Sequence, residues 1–428
     1  MKNSKNFWLI ISLANLLIVA SLGVLLRSKI LFPIPFLDYS SILHAHSHFA
    51  FGGWVTLALL SLITYEILPE KFNRNKKYNY LLGSVFLCAF AMLAGFLLQG
   101  YGMFSITFST IFIVISYIFS VVFCLDLLAT TLPRILKILV VSGLAFLVLS
   151  SVGPFILAYI LSHKIHNPIL YKDAVYTYLH LQYSGFFTLI VFALLFKRVW
   201  PRISASGYAN FRRFAWLLIF SVLPSMFISY LWHYPQAWIK IIAACGSIAL
   251  SLCTVYFIRL IYELGTKRHS FTRLAVSIVT VSMLSFFLKT AFQALTIIPA
   301  LGKLVFSNRP VIIGFLHLVL LGFVSLYILA HLLQIGFLRN SKAGIVSVWI
   351  FSSGVIANEV LLMVQGLGGM IMQTSSIFPV LLWVTAIWLF VGALMMLITK
   401  SAGGRVFSVQ LQNIFSNPIF YSNKNLKT

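Results

Sequence analysis

Apolar runs of about 20 residues, each long enough to cross a bilayer as a helix, recur along the whole chain. They fall near 7–26, 42–65, 79–99, 104–127, 136–162, 175–196, 214–232, 236–261, 271–295, 310–337, 344–366 and 375–399. The pattern predicts twelve spanning helices. The longest connections, roughly 27–41, 163–174, 197–213 and 296–309, are short, and residues 400–428 form a polar C-terminal tail. The chain therefore reads as an all-α integral membrane protein, a single polytopic domain over 1–428. The first run follows MKNSKN, lacks an A-x-A cleavage pattern and precedes eleven others. It is expected to remain as an anchor helix and not to leave as a signal peptide.

Composition narrows the class further. The chain is 61% hydrophobic and 9% charged, against roughly 45–50% and 25% in soluble proteins. That excludes an ordinary soluble enzyme, a disordered protein and a secreted disulfide scaffold. The net charge is +24, but the basic residues sit in gaps between apolar runs, which is membrane topology and not a nucleic-acid-binding face. If the N-terminus is cytoplasmic, 23 of the 31 Lys and Arg fall on that side, 7 on the other, and Lys289 lies within a span. This asymmetry places both termini inside, as for a multi-pass protein of a bacterial inner membrane. Cys88, Cys124, Cys245 and Cys253 all lie in apolar runs without CxxC or CxxCH. They suggest no disulfide framework, zinc site or covalent haem.

Ionisable residues at membrane depth are costly and point to function. His44, His46 and His48 open span 2 in ILHAHSHFAFGGWV, His180 opens span 6 in YLHLQYSGFF, His233 lies in WHYPQAW before span 8, and His317 lies in GFLHLVLLGF of span 10. With the N-terminus inside, all six fall in the outer third of the membrane. Imidazoles brought to one layer by four separate segments suit haem iron or copper. An aromatic interfacial belt explains His233 nearly as well. His44 and His48 share a helix face and His46 points nearly opposite. Gly52, Gly185 and Gly322 follow the histidines by four or five residues, leaving room for a flat macrocycle or simply allowing close helix packing. Lys289 and Glu359 are buried charges in the outer half. They would pair with each other, or Lys289 and Arg309 would neutralise haem propionates. Asp126, at the inner end of span 4, is the one acidic candidate for a proton pathway.

These features resemble the subunit I fold of haem-copper oxidases, and most closely the cbb3-type oxidases and nitric oxide reductases. HSHFAFGGWV is similar to the helix 2 segment whose histidine ligates the low-spin haem. HLQYSGFFTLIVFALLF is similar to the helix 6 segment whose histidine binds copper or non-haem iron, and GFLHLVLLG to the helix 10 segment that serves both haems. The twelve-helix topology covers the whole chain, the motifs about 40 residues of it. The resemblance implies a low-spin haem b with His317 as one axial ligand. The other would be His46, which best keeps the spacing to Trp54, with His44 and His48 as alternatives. It implies a quinol or cytochrome c as electron donor in a respiratory chain, and allows copper at His180 with His233 and further membrane subunits as partners. Tyr183 would be a catalytic redox or proton partner. Phe315 stands where the ligand of the oxygen-reducing haem is expected, and the helix 7 histidine pair is reduced to His233. The binuclear centre is thus incomplete, and oxidoreductase activity is left open. Two other readings stay open: an NnrS-like haem- and copper-containing protein of nitric oxide stress, and a twelve-helix secondary transporter.

Overall fold

Twelve helices in the structure, a computed structural model, are long and apolar enough to cross a membrane. They are α1 (Ser4–Leu31), α2 (Tyr39–Ile67), α3 (Lys76–Gln99), α4 (Met103–Leu128), α5 (Arg134–Ser162), α6 (Pro168–Val199), α7 (Ala205–Tyr230), α8 (Ala237–Glu263), α9 (Arg273–Leu295), α10 (Arg309–Gln334), α11 (Lys342–Gly369) and α12 (Ile377–Thr399). Residues 2–231, 234, 236–265, 272–338, 341–370 and 375–400 are described. Among them there is no strand beyond an isolated bridge between Leu338 and Lys400. The protein is an all-α, multi-pass membrane bundle.

Polar caps start the helices, often earlier than the apolar runs suggest. Asp38 accepts the Ser41 amide at 2.7 Å and caps α2. Asn308 caps α10 with Pro310 in its first turn. Asn167 accepts the amides of Ile169 and Leu170, and Pro168 occupies the first turn of α6. A side-chain oxygen at the N-cap and a proline just inside are favourable because the first amides have no partner within the helix. As a result α6 begins seven residues before its apolar run. His180 lies roughly 18 Å along the helix instead of opening it. The 296–309 connection also folds, carrying a short helix, Pro299–Ser307.

Helices adjacent in sequence pack side by side around the bundle, and α1 closes it against α12. Two spans lie inside this rim: in an apolar stretch of 18 residues, 83% of the residues of α2 and 94% of those of α6 are buried, against 56% or less in the corresponding stretch of every other span. The lower half of α10 reaches both. An aromatic cluster of Phe192, Phe214, Phe257, Phe286 and Phe323, with ring centroids 4.8 to 6.3 Å apart, ties α6 to α7, α8, α9 and α10. Large apolar side chains such as Leu98, Met103 and Phe220 are exposed on the periphery, where lipid is the solvent.

Each of α2, α6 and α10 widens into π-type turns just after its candidate histidine: Ala50–Thr56, Leu181–Phe187 and Leu318–Ser325. Such widenings are rare and gather at functional sites. They give the three inner helices a shared irregularity at the level where they meet.

Candidate functional site

The structure separates the three histidines of α2. His44 and His48 turn toward the outer end of α3. The His44 ring packs edge-on to Tyr101 at 4.5 Å, the His48 ring stacks on Phe96 at 4.3 Å, and His48 Nε2 lies 3.2 Å from the Tyr101 hydroxyl. His46 turns the other way. Its Nδ1 is 3.1 Å from the Val19 carbonyl of α1, and its Cε1 lies beside Gly23, where an added Cβ would sit 3.6 Å away.

His46 is within direct electrostatic reach of His317 on α10, and Arg27 is within reach of both. His317 Nδ1 lies 2.8 Å from the Ile313 carbonyl. A carbonyl only accepts, so each Nδ1 carries the proton and each Nε2 keeps its lone pair. Neither Nε2 has a hydrogen-bond partner among the described residues. Both rings are partly buried, each retaining some accessible surface. The outer part of α10, Arg309–His317, has no fully buried residue. It leans on α11 through Val311 beside Gly366 and Gly314 beside Leu362. Two imidazoles with Nε2 atoms unpartnered among the described residues, within electrostatic reach of each other and of Arg27, form a donor set that fits haem iron and its carboxylates.

The second expected centre is built differently. His180 is fully buried, with Nε2 2.8 Å from the Val222 carbonyl and 3.3 Å from Ser225 Oγ, and Nδ1 3.3 Å from the Gln293 amide. Both ring nitrogens are therefore engaged by protein. Lys289, 1% exposed, donates to Ser184 Oγ at 2.8 Å and lies over the Tyr183 ring at 5.5 Å. Tyr183 in turn meets His180 and Phe315 edge-on, at 5.5 and 5.7 Å. The space beside the neighbouring glycines is filled by protein. A Cβ on Gly185 would meet Phe146 at 2.6 Å, and one on Gly322 would meet Ser285 Oγ at 2.8 Å. These glycines serve close helix packing, not a macrocycle. Among the described residues no group of three or more His, Cys, Asp or Glu could hold a metal ion. His233 lies outside the described residues.

The other charged candidates have separate settings. Arg309 is exposed at the outer start of α10. Lys289 and Glu359 do not pair: Glu359 accepts from the adjacent Asn358 at 3.1 Å. Asp126 is tied to Lys77 and to the Tyr78 hydroxyl, both at 2.7 Å. The acid that faces the inner core is instead Glu66, paired with Lys5 and 3.7 Å from the buried His331. Sequence reasoning missed both Arg27 and Glu66. Arg27 lies beyond the first apolar run but still within α1, and Glu66 lies in the last turn of α2. No protein-family signature matches this chain, and no curated protein is significantly similar to it.

Proposed function

We propose that this chain is a membrane haem protein, resembling haem-copper oxidase subunit I, that holds one low-spin haem b between His46 and His317. The observation that carries the reading is that these two imidazoles lie within electrostatic reach of each other, each with Nδ1 tied to a backbone carbonyl and Nε2 without a partner among the described residues. His46 Nε2 and His317 Nε2 would bind the iron. The Val19 and Ile313 carbonyls fix the ring orientations and the tautomers, as hydrogen-bond acceptors behind metal-bound histidines do. Arg27 would neutralise the propionates. A bis-imidazole haem supplies one-electron transfer, with burial and hydrogen bonding setting its potential.

The remainder of the reading follows from the second centre. Phe315 offers no ligand, both nitrogens of His180 are occupied, and a lysine lies beside it, a poor setting for a further cation. The chain is thus proposed to pass or sense electrons and not to reduce oxygen by the family's mechanism, with quinol or a cytochrome c as donor and the bacterial inner membrane as its place. The test is a reduced-minus-oxidised optical spectrum of the detergent-purified protein, with a pyridine haemochrome and added carbon monoxide. A sharp low-spin b-type spectrum untouched by carbon monoxide is expected. A carbon monoxide shift would restore an open iron and a gas-reducing enzyme. Absence of haem from protein made with haem in supply would overturn the reading in favour of a transporter, and stoichiometric copper would favour the NnrS-like alternative.

A further inference from the structure

A second site lies far from these histidines, where α7 and α8 run antiparallel at their Lys- and Arg-rich ends. A groove of about 670 Å³ opens there between the two helices, lined by Arg212, Arg213, Trp216, Leu217, Leu252 and Tyr256. One turn further along α8, Arg259 lies over the Tyr256 ring at 5.3 Å. No acidic residue lines the groove, and no ion pair among the described residues involves Arg212 or Arg213. Arg212 and Arg213 fall in the second and third turns of α7. The groove's walls then continue outward along exposed apolar surface, with Trp216 stacked on Phe220 at 5.4 Å.

We infer that this groove binds an anionic phospholipid. Its phosphate would be held between the Arg212 and Arg213 guanidinium groups, and an acyl chain would lie along Trp216, Leu217 and Leu252. Three features support that occupant. Guanidinium groups match phosphate oxygens in geometry as well as charge. The groove opens sideways into the region where hydrocarbon solvates the protein, so its ligand must be an anion at one end and apolar at the other. Basic pockets between spanning helices on the positive side of a membrane are where acidic headgroups collect.

The test uses the full chain in detergent after delipidation, with thermal unfolding followed by tryptophan fluorescence. Phosphatidylglycerol should raise the midpoint at concentrations where phosphatidylcholine and inorganic phosphate do not, and the effect should shrink several-fold as salt rises. The R212Q/R213Q variant should lose the phosphatidylglycerol effect, whereas R134Q, an exposed arginine at the start of α5, should keep it. Equal stabilisation by phosphatidylcholine, stabilisation by inorganic phosphate alone, or an undiminished effect in R212Q/R213Q would overturn the inference. If that variant does not fold, native mass spectrometry of the unmodified chain decides. Retained phosphatidylglycerol adducts in excess of phosphatidylcholine are expected, and their absence overturns the proposal.

Discussion

The Trp54 indole N–H donates to Ser325 Oγ at 2.8 Å, and each of these residues lies eight positions after a histidine of the proposed haem site: Trp54 after His46, Ser325 after His317. Eight residues are about 12 Å of regular α-helix, and less here because both stretches include π-type turns. One buried hydrogen bond therefore locks α2 and α10 in register at equal distances from the two imidazoles. Ser325→Ala removes the acceptor and leaves a buried indole N–H alone, which costs about 1–3 kcal/mol. Thermal unfolding of this variant and of Trp54→Phe, separately and together, checks the link. The double variant should lose less than the sum of the singles, because a phenyl ring asks for no partner. Strict additivity would mean that the bond does not couple the helices.

The three histidines of α2 should behave differently on replacement. His46→Ala and His317→Ala should each abolish haem retention, read as the haem-to-protein ratio after purification. His44→Ala and His48→Ala should keep it, since their rings rest on Phe96 and Tyr101. Haem loss in His48→Ala with retention in His46→Ala would refute the assignment of the α2 ligand.

How far the sequence carries differs from one feature to the next. Twelve spans are legible because bilayer thickness fixes the length of an apolar run, and that holds whatever the helices pack against. The choice among His44, His46 and His48 is not legible. It depends on which neighbour each face of α2 meets, and α1, α3 and α10 supply that information. Arg27 reads as a loop cation until α1 is seen to continue to Leu31 past its apolar run. The setting of His180 is assembled from Val222 and Ser225 on α7 and Gln293 on α9, three contacts distant in sequence. Gly185 and Gly322 illustrate the same limit. A glycine near a histidine looks alike in sequence whether a cofactor or a phenylalanine fills the space beside it.

Gly185→Ala tests which of those it is. The added methyl would lie 2.6 Å from Phe146 Cβ and 2.7 Å from its Cγ, atoms close to the backbone that cannot swing away. Overpacking of this kind costs about 1–3 kcal/mol. We expect a lower thermal midpoint with an unchanged haem spectrum. An unaltered midpoint would indicate spare room beside α6.

Acid should act on the cap of α2. The Ser41 amide, with help from the Ser41 hydroxyl and Lys29, holds the exposed Asp38 carboxyl below its ordinary value of 3.8. A depressed folded value means that the carboxylate's contribution is complete above the unfolded value and fades as pH falls through the folded one. Asp38→Asn retains a capping oxygen but does not titrate. The stability difference between wild type and Asp38→Asn, measured from pH 6 down to pH 3, should be flat at the upper end and turn against the wild type only near and below its unfolded value. A difference that grows toward neutral pH would assign the effect to another group.

Two buried cations should prove unlike in function. Arg27 stands within electrostatic reach of both His46 and His317. Arg27→Gln should therefore weaken haem retention and, because a positive charge beside the proposed haem would favour its reduced form, lower the midpoint potential. Lys289 is instead placed by Ser184 and Tyr183 beside His180, its side-chain nitrogen held by a single hydroxyl and a ring face. A lysine amine buried with so few partners is costly whether charged or neutral, so Lys289→Met, close in volume, should leave the thermal midpoint unchanged or raised, where a typical substitution loses about 1 kcal/mol. Its haem content and potential should match the wild type. Potentiometric titration of both variants separates the two roles. A shift in Lys289→Met equal to that in Arg27→Gln would mean that the lysine, and not the arginine, supplies the charge the haem site depends on.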